Sequence, residues 1–295
     1  MPIAIIINPI AGGRAGAVGG RVELAGRVAA DCGEAADVSV TEQPGHARAL
    51  AKAARENGAR LIVAWGGDGT VNEVASEVAF TDVPIAIVPS GSGNGLAREL
   101  GIAVDPGQAL AAAMRARPRA IDVGEIDGRL FVNIAGLGLD AYIASQFNAS
   151  GRRRRGLTGY VACTARALLQ YVPDLYEITT SGARFTTRAL LVTLANSAQF
   201  GNGVRIAPAA KVDDGALDLV VVEERSRLAS ICRLPRLLAG SVDRIPAWSS
   251  RSVEEVTIES DRPMLFHVDG EPVQGETRLL ARVRPGALQI CVGQV

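Results

Sequence analysis

The sequence predicts an α/β region followed by a β-rich region, on three observations. First, short apolar runs at Ile3 to Ile7, Leu61 to Ala64 and Ile85 to Val88 each read as a buried strand, and each leads through a glycine-containing loop into a helical pattern. Second, alanine-rich helical stretches such as Ala47 to Glu56 lie between strands at Val38 and Leu61, the alternation expected of a parallel layer. Third, the texture changes after Ala120 to alternation and tight turns, beginning with Ile121, Val123 and Ile126, then Asp127-Gly128, then Leu130, Val132 and Ile134.

The first part, residues 1–122, is therefore read as a parallel α/β domain. Residues 123–281 are read as an antiparallel, β-sandwich-like domain, with strands near Leu175 to Thr180, Leu190 to Ala195, Leu217 to Val222 and Val256 to Ile258. A last strand near Leu288 to Val292 closes the pattern. Helical segments are expected at Gly156 to Tyr171 and at Arg227 to Ala239, the second kinked at Pro235.

The loop after Leu61 to Ala64 is the most informative. It reads Trp65, Gly66, Gly67, Asp68, Gly69, Thr70, Val71, Asn72, Glu73. Glycines at a strand end let backbone amides approach an anion, and the free N–H groups of the following helix point the same way. Asp68 stands where a carboxylate holds a metal or orients a nucleophile; Thr70 contacts phosphate or caps the helix. A tight turn with an N-cap is the plainer reading of these residues alone.

A second loop, Pro89-Ser90-Gly91-Ser92-Gly93-Asn94-Gly95, repeats the arrangement, and Asn8-Pro9 with Gly12-Gly13-Arg14 does so a third time. Loops of this kind gather at the carboxyl edge of a parallel sheet, where ligands bind. Together they indicate a nucleotide site. Neither a Walker lysine nor a dinucleotide fingerprint is present, so amides, and Arg14, must hold the phosphates.

With these segments in place the chain resembles the diacylglycerol kinase and sphingosine kinase catalytic superfamily, most closely its soluble bacterial lipid kinases. The resemblance continues through Asp122-Val123-Gly124, Asn133 to Asp140, Gly201 to Asp218 and Asp269-Gly270-Glu271. It implies transfer of the γ-phosphate of ATP, with Mg2+, to a hydroxyl of a lipid such as diacylglycerol or a sphingoid or ceramide-type lipid. It implies Glu271 as general base, with Asp68 and Asp122 in the catalytic group, and nucleotide contacts from Asn8, Arg14, Thr41, Gly66, Gly67, Gly69, Thr70, Asn72, Ser92, Gly93 and Asn94. A structural magnesium loop would use the carbonyls of Lys211 and Ala216 and the carboxylate of Asp214, and Asp140 would serve the acceptor. The resemblance also implies that residues 282–295 complete the first domain. One departure is Gly95, where many bacterial diacylglycerol kinases carry aspartate, so the acceptor lipid is left open.

Plainer readings stand beside these. Asp122 and Asp140 also suit helix caps, the 213–216 segment suits a metal-free turn, and Glu271 suits a solvated turn position. NAD kinases share Gly-Gly-Asp-Gly-Thr, so an NAD kinase-like enzyme and a non-catalytic nucleotide-binding regulator are the alternatives to a lipid kinase. The regulator is disfavoured because a pure binder has no need of a base.

Bulk properties narrow the classes. Lys+Arg and Asp+Glu are equal at 31 each, so no global field draws the chain to nucleic acid. No run reaches the ~18 apolar residues that span a bilayer. The opening strand is too short for a signal peptide, and the expected place is the cytoplasm, with peripheral contact at the inner membrane surface. Arg152 to Arg155 is either a solvated face or an attraction for anionic headgroups. The scattered Cys32, Cys163, Cys232 and Cys291 read as reduced core thiols. An exposed edge of the β domain would permit a homodimer.

Overall fold

A computed structural model describes residues 2–12, 18–149, 167, 170–201, 203–224 and 247–293. Arg14, Arg152 to Arg155, the 227–239 helix and nearly all of the 156–171 helix lie outside the described residues, as do Cys163 and Cys232. The chain divides into two compact units, residues 1–121 with 286–295, and residues 122–285.

In the first unit, β1 (Ile3–Ile7), β2 (Ala36–Val40), β3 (Leu61–Gly66) and β4 (Ile85–Pro89) form a parallel sheet in the order β2-β1-β3-β4. Strands β1, β3 and β4 are buried along their whole length, which is why they read as unbroken apolar runs. Helices α1 (Val18–Asp31), α2 (His46–Glu56), α3 (Asp68–Val78), α4 (Gly95–Glu99) and α5 (Pro106–Arg115) connect and cover them. Helix α3 buries Val71, Val74, Ala75 and Val78, one stripe at helical spacing. Helix α5 starts on Pro106 after Asp105, whose side chain accepts the Gln108 N–H at 2.8 Å. The core joins Ile3, Ile5, Ile7, Val63, Trp65 and Val88 to Ala25, Ala29, Leu110 and Met114 from α1 and α5. Buried Cys291 and half-buried Cys32 are free thiols within it.

The second unit is antiparallel. Strand β5 (Pro118–Ile126) enters it and turns through Asp127 and Gly128, at φ 49° and 75°, into β6 (Arg129–Phe131). Positive φ at both positions is what an Asp-Gly two-residue turn supplies. The sequence pattern alternates on through Val132 and Ile134. The strand nevertheless breaks there, because the amides of residues 132–134 turn to a carboxylate, and it resumes as β7 (Ile134–Gly138) before α6 (Leu139–Ala149).

The remaining strands are β8 (Asp174–Thr180), β9 (Ala183–Ala195), β10 (Gln199–Gly201), β11 (Val204–Arg205), β12 (Leu217–Glu223), β13 (Trp248–Val253), β14 (Glu255–Glu259), β15 (Leu265–Val268), β16 (Glu271–Gln274) and β17 (Arg278–Cys291). Strand β9 pairs with β7, β8 and β12, and β15 pairs with β7 and β16. Successive residues of β9 and β12 serve two cores. Val192, Leu194, Leu219 and Val221 join Phe131, Tyr176 and Phe266, while Leu191, Ala195, Val220 and Val222 join Ile134 and Ile206. Strand β17 pairs with β14 over residues 278–282 and continues into the first unit, where Ile290 pairs in parallel with Ile85 of β4.

Candidate functional site

The first unit brings its glycine loops into contact. A Cβ on Gly91 would fall 2.6 Å from the Gly67 Cα, and one on Gly67 would fall 3.1 Å from the Gly91 Cα. Two backbones therefore touch where any side chain would part them. Gly66 is constrained in the same way, since its Cβ would lie 2.4 Å from the Thr70 hydroxyl oxygen.

Asp68 fastens the loops together. Its Oδ2 accepts the Asn94 N–H at 2.8 Å and its Oδ1 accepts the Gly95 N–H at 2.7 Å, charge-assisted bonds that hold the second loop to the start of α3. Asn94 sits at φ 52° and closes the loop on itself: its Oδ1 accepts from Gly91 N and its Nδ2 donates to the Gly91 carbonyl, both at 2.9 Å. Ser92 is exposed on this loop, and the Gly93 carbonyl accepts from Arg98 Nε.

The first loop joins them. Asn8 Nδ2 donates to the Thr70 Oγ1 at 2.9 Å, so these two predicted contacts meet. The buried Thr70 is not the helix cap: Gly67 occupies that place, without a side-chain cap bond. Thr41 donates its N–H to the Ile7 carbonyl at 2.9 Å, beside the end of β1. Gly69 lies in the first turn of α3; Asn72, one turn further on, accepts from Ser76 Oγ.

Sequence reasoning missed two residues here. Arg21 of α1 reaches back to donate to the carbonyls of Asn8 and Ala11, at 3.0 and 2.7 Å. Glu73 of α3 accepts the N–H groups of Gly45 and Arg48, supplying the anion that the N-terminus of α2 lacks in its own first turn. Only the fold shows these pairings, although Glu73 stands within the motif.

The second unit places its buried carboxylates on three kinds of element: Asp122 within β5, Asp140 in the first turn of α6 and Asp269 in the turn after β15. Asp122 is buried; its N–H donates to the Val212 carbonyl at 2.6 Å and its Oδ2 accepts from Gly215 N at 2.7 Å. Asp122 and the 211–218 loop are thus one structure. Gly215 has φ 76°, and the exposed Asp214 accepts from Ala216 N at 3.2 Å. Burial pushes the Asp218 carboxyl upward, the Ser250 hydroxyl opposes this, and the charge of Asp214 raises it further. Lys211 is exposed at the head of the loop. Among the described residues no group of three or more His, Cys, Asp or Glu side chains stands ready for a metal. A cation here would take one carboxylate with backbone oxygens, a donor set that suits a hard ion.

Asp269 is buried at φ 47° and accepts three successive N–H groups, from Val132, Asn133 and Ile134, at 2.9 to 3.0 Å. It anchors the turn through Gly270 to the exposed Glu271, the first residue of β16. Asn196 binds the carbonyls of Asp122 and Val132 through its Nδ2, at 2.9 Å each. Asp140, buried at the start of α6, accepts from Ala141 N and from the Thr193 hydroxyl, and lies beside His267.

Residues 2–126 match the model of the diacylglycerol kinase catalytic domain, and residues 133–292 match that of the YegS C-terminal NAD kinase beta sandwich-like domain. The chain belongs to the diacylglycerol kinase and sphingosine kinase superfamily. Within that superfamily it is 32% identical over 270 residues to "Probable lipid kinase YegS-like" of Chromohalobacter salexigens, covering 90% of this chain and 86% of that one. A protein of the same description from Pseudomonas aeruginosa is 32% identical over 282 residues, covering 92% and 90%. The crystal structure of a diacylglycerol kinase from Bacillus anthracis shares the fold, with a TM-score of 0.77 at 20% identity over 99% of this chain and 97% of that one. Membership makes the chain a kinase, a phosphotransferase with an alcohol group as acceptor.

Proposed function

We propose that this kinase is an ATP- and Mg2+-dependent lipid kinase, phosphorylating a hydroxyl of diacylglycerol or of a sphingoid or ceramide-type lipid. The observation that carries the nucleotide part is the close approach of Gly67 and Gly91 at the carboxyl ends of adjacent parallel strands, bound together by Asp68. The lipid acceptor is supported by the description of the YegS-like relatives.

In this reading ATP lies on the loops of the first unit. Amides of Gly66, Gly67, Gly69, Ser92 and Gly93 face its phosphates, Asn8, Arg14, Thr41, Thr70, Asn72 and Asn94 complete the contacts, and Asp68 keeps the loops in register. Glu271 takes the proton from the acceptor hydroxyl, whose oxygen forms a bond to the γ-phosphorus as the bond to the bridging oxygen breaks and ADP leaves. Asp122 supports the catalytic group and Asp140 the acceptor. The Asp214 carboxylate and the carbonyls of Lys211 and Ala216 would hold Mg2+, which neutralises the acidic loop. Reaching a lipid from the cytoplasm requires only peripheral contact with the inner membrane surface, and among the described residues no helix is long and apolar enough to cross a membrane.

The test is transfer of label from ATP with Mg2+ to mixed micelles of diacylglycerol, ceramide, sphingoid base and phosphatidylglycerol, with NAD as soluble control. Label on one lipid, lost in Glu271→Ala while ATP binding persists, is the expected result. Label on NAD would favour the reading suggested by the name of the second matched domain. Binding without transfer to any acceptor would favour a regulator.

A further inference from the structure

His267 lies on β15 directly across from Gly136 of β7. Its Nδ1 accepts the N–H of Gly270 at 3.3 Å, and its Nε2 stands 3.5 Å from the Asp140 Oδ2. Both side chains are sealed, His267 at 5% exposure and Asp140 at 7%. A ring nitrogen that accepts carries no proton, so this contact requires the hydrogen of the imidazole to sit on Nε2, the nitrogen nearer the Asp140 carboxylate. A carboxylate on that side of the ring favours the tautomer in which Nδ1 accepts.

The seat of this pair is tight. A Cβ on Gly136 would fall 2.0 Å from the Asp140 Oδ2 and 3.0 Å from the His267 Nε2, so only glycine lets the carboxylate lie over the strand. Thr193 from β9 and the Ala141 N–H satisfy the rest of Asp140, and the Phe200 ring lies 6.3 Å from the imidazole. Residues of β7, α6, β9 and β10 therefore surround the pair, and His267 Nδ1 carries that support to a turn two residues long that ends at Glu271.

We propose that His267 is a positioning residue for the phosphoryl transfer: its Nδ1 holds the Gly270 amide, and so sets where Glu271 stands, while Asp140 holds the imidazole in the tautomer that can do this. The inference rests on Glu271 being the base. Asp269 anchors the entry to the turn and His267 anchors its middle. With both in place the glutamate leaves a fixed backbone, and a base displaced by about 1 Å loses on the order of 100-fold in rate.

Asparagine and glutamine separate the two nitrogens. His267→Asn places an oxygen near the Nδ1 position and keeps an acceptor for Gly270, whereas His267→Gln places its amide near Nε2 and keeps only the contact with Asp140. We expect His267→Gln to lower kcat by about 10- to 100-fold with KM for ATP within about twofold of the parent, and His267→Asn to retain kcat within a few-fold. Hydrogen exchange of the peptide containing Gly270 should be fast in His267→Gln and slow in the parent and His267→Asn. Thermal melting checks that both variants are folded. Equal loss in the two variants, or unchanged exchange at Gly270 in His267→Gln, overturns the proposal. Full activity in Glu271→Gln would instead remove the base on which the rate argument depends, and the exchange measurement would still decide whether His267 holds the turn.

Discussion

The two units solve the same problem, fixing a polar loop at a strand end, with opposite means. In the first unit the loops are shaped by close backbone contact, Gly67 on Gly91, and by the half-buried carboxylate of Asp68 on two amides. In the second unit buried carboxylates do the work: Asp269 on three amides, Asp122 on the 211–218 loop, Asp140 beside His267. The first arrangement rests on backbone lying against backbone, with the Gly91, Asn94 and Gly95 amides bound by two side chains. The second satisfies amides with buried carboxylates and presents exposed side chains beyond them, Glu271 after the Asp269 turn and Asp214 on the loop that Asp122 holds. Glycine contact builds a cradle, and buried charge builds a mount.

This contrast is open to direct attack. The largest effect on folding should come from Asp269→Ala, which strands three amides and removes charge-assisted bonds; a loss of about 4 kcal/mol is expected by urea denaturation. If the loss were under about 1 kcal/mol, the turn would not depend on its carboxylate. Gly91→Ala should cost about 2 kcal/mol through overlap with the Gly67 backbone, and ATP affinity should fall with it because the two loops must part. Unchanged nucleotide binding in that variant would show that the contact is mere packing. Asp68→Asn keeps the shape but removes the charge and leaves one acceptor oxygen for two amides, turning an NH2 donor toward either Asn94 N or Gly95 N, and should lower stability by about 1–2 kcal/mol and weaken ATP binding. The smallest effect concerns the acidic loop: Mg2+ should raise the Tm of the parent by a few degrees and leave Asp214→Ala unmoved. Parallel melts with and without the ion decide this.

Local patterns made the first unit readable. Unbroken apolar strands, glycines at their ends and periodic helices are all contained in short windows, and Asp127-Gly128 announced its hairpin in the same way. Long-range pairings were not readable. Asp269 reaches amides 135 to 137 positions away, Asp122 meets Gly215 across 93, and nothing in either neighbourhood signals its partner. For the same reason the break at Val132 and Asn133 interrupts a run whose alternation continues. The first half of β9 also escaped the apolar pattern, because its residues alternate between half-buried and exposed. Glu73 and Arg21 act on α2 and on the first loop through contacts that only a folded chain reveals.

The course of β17 bears on how the molecule is made. Strand β4 ends its synthesis near residue 89, yet Ile290, its parallel neighbour on one side, follows about 200 residues later. At about 5–20 residues per second a ribosome leaves that flank of β4 uncovered for roughly 10–40 s. During this interval the nascent first unit carries an open, apolar sheet edge, the kind of surface that invites pairing with another chain. Chaperone capture, or slow translation through the codons of β17, would therefore change the yield of folded enzyme more than the same change placed in α1.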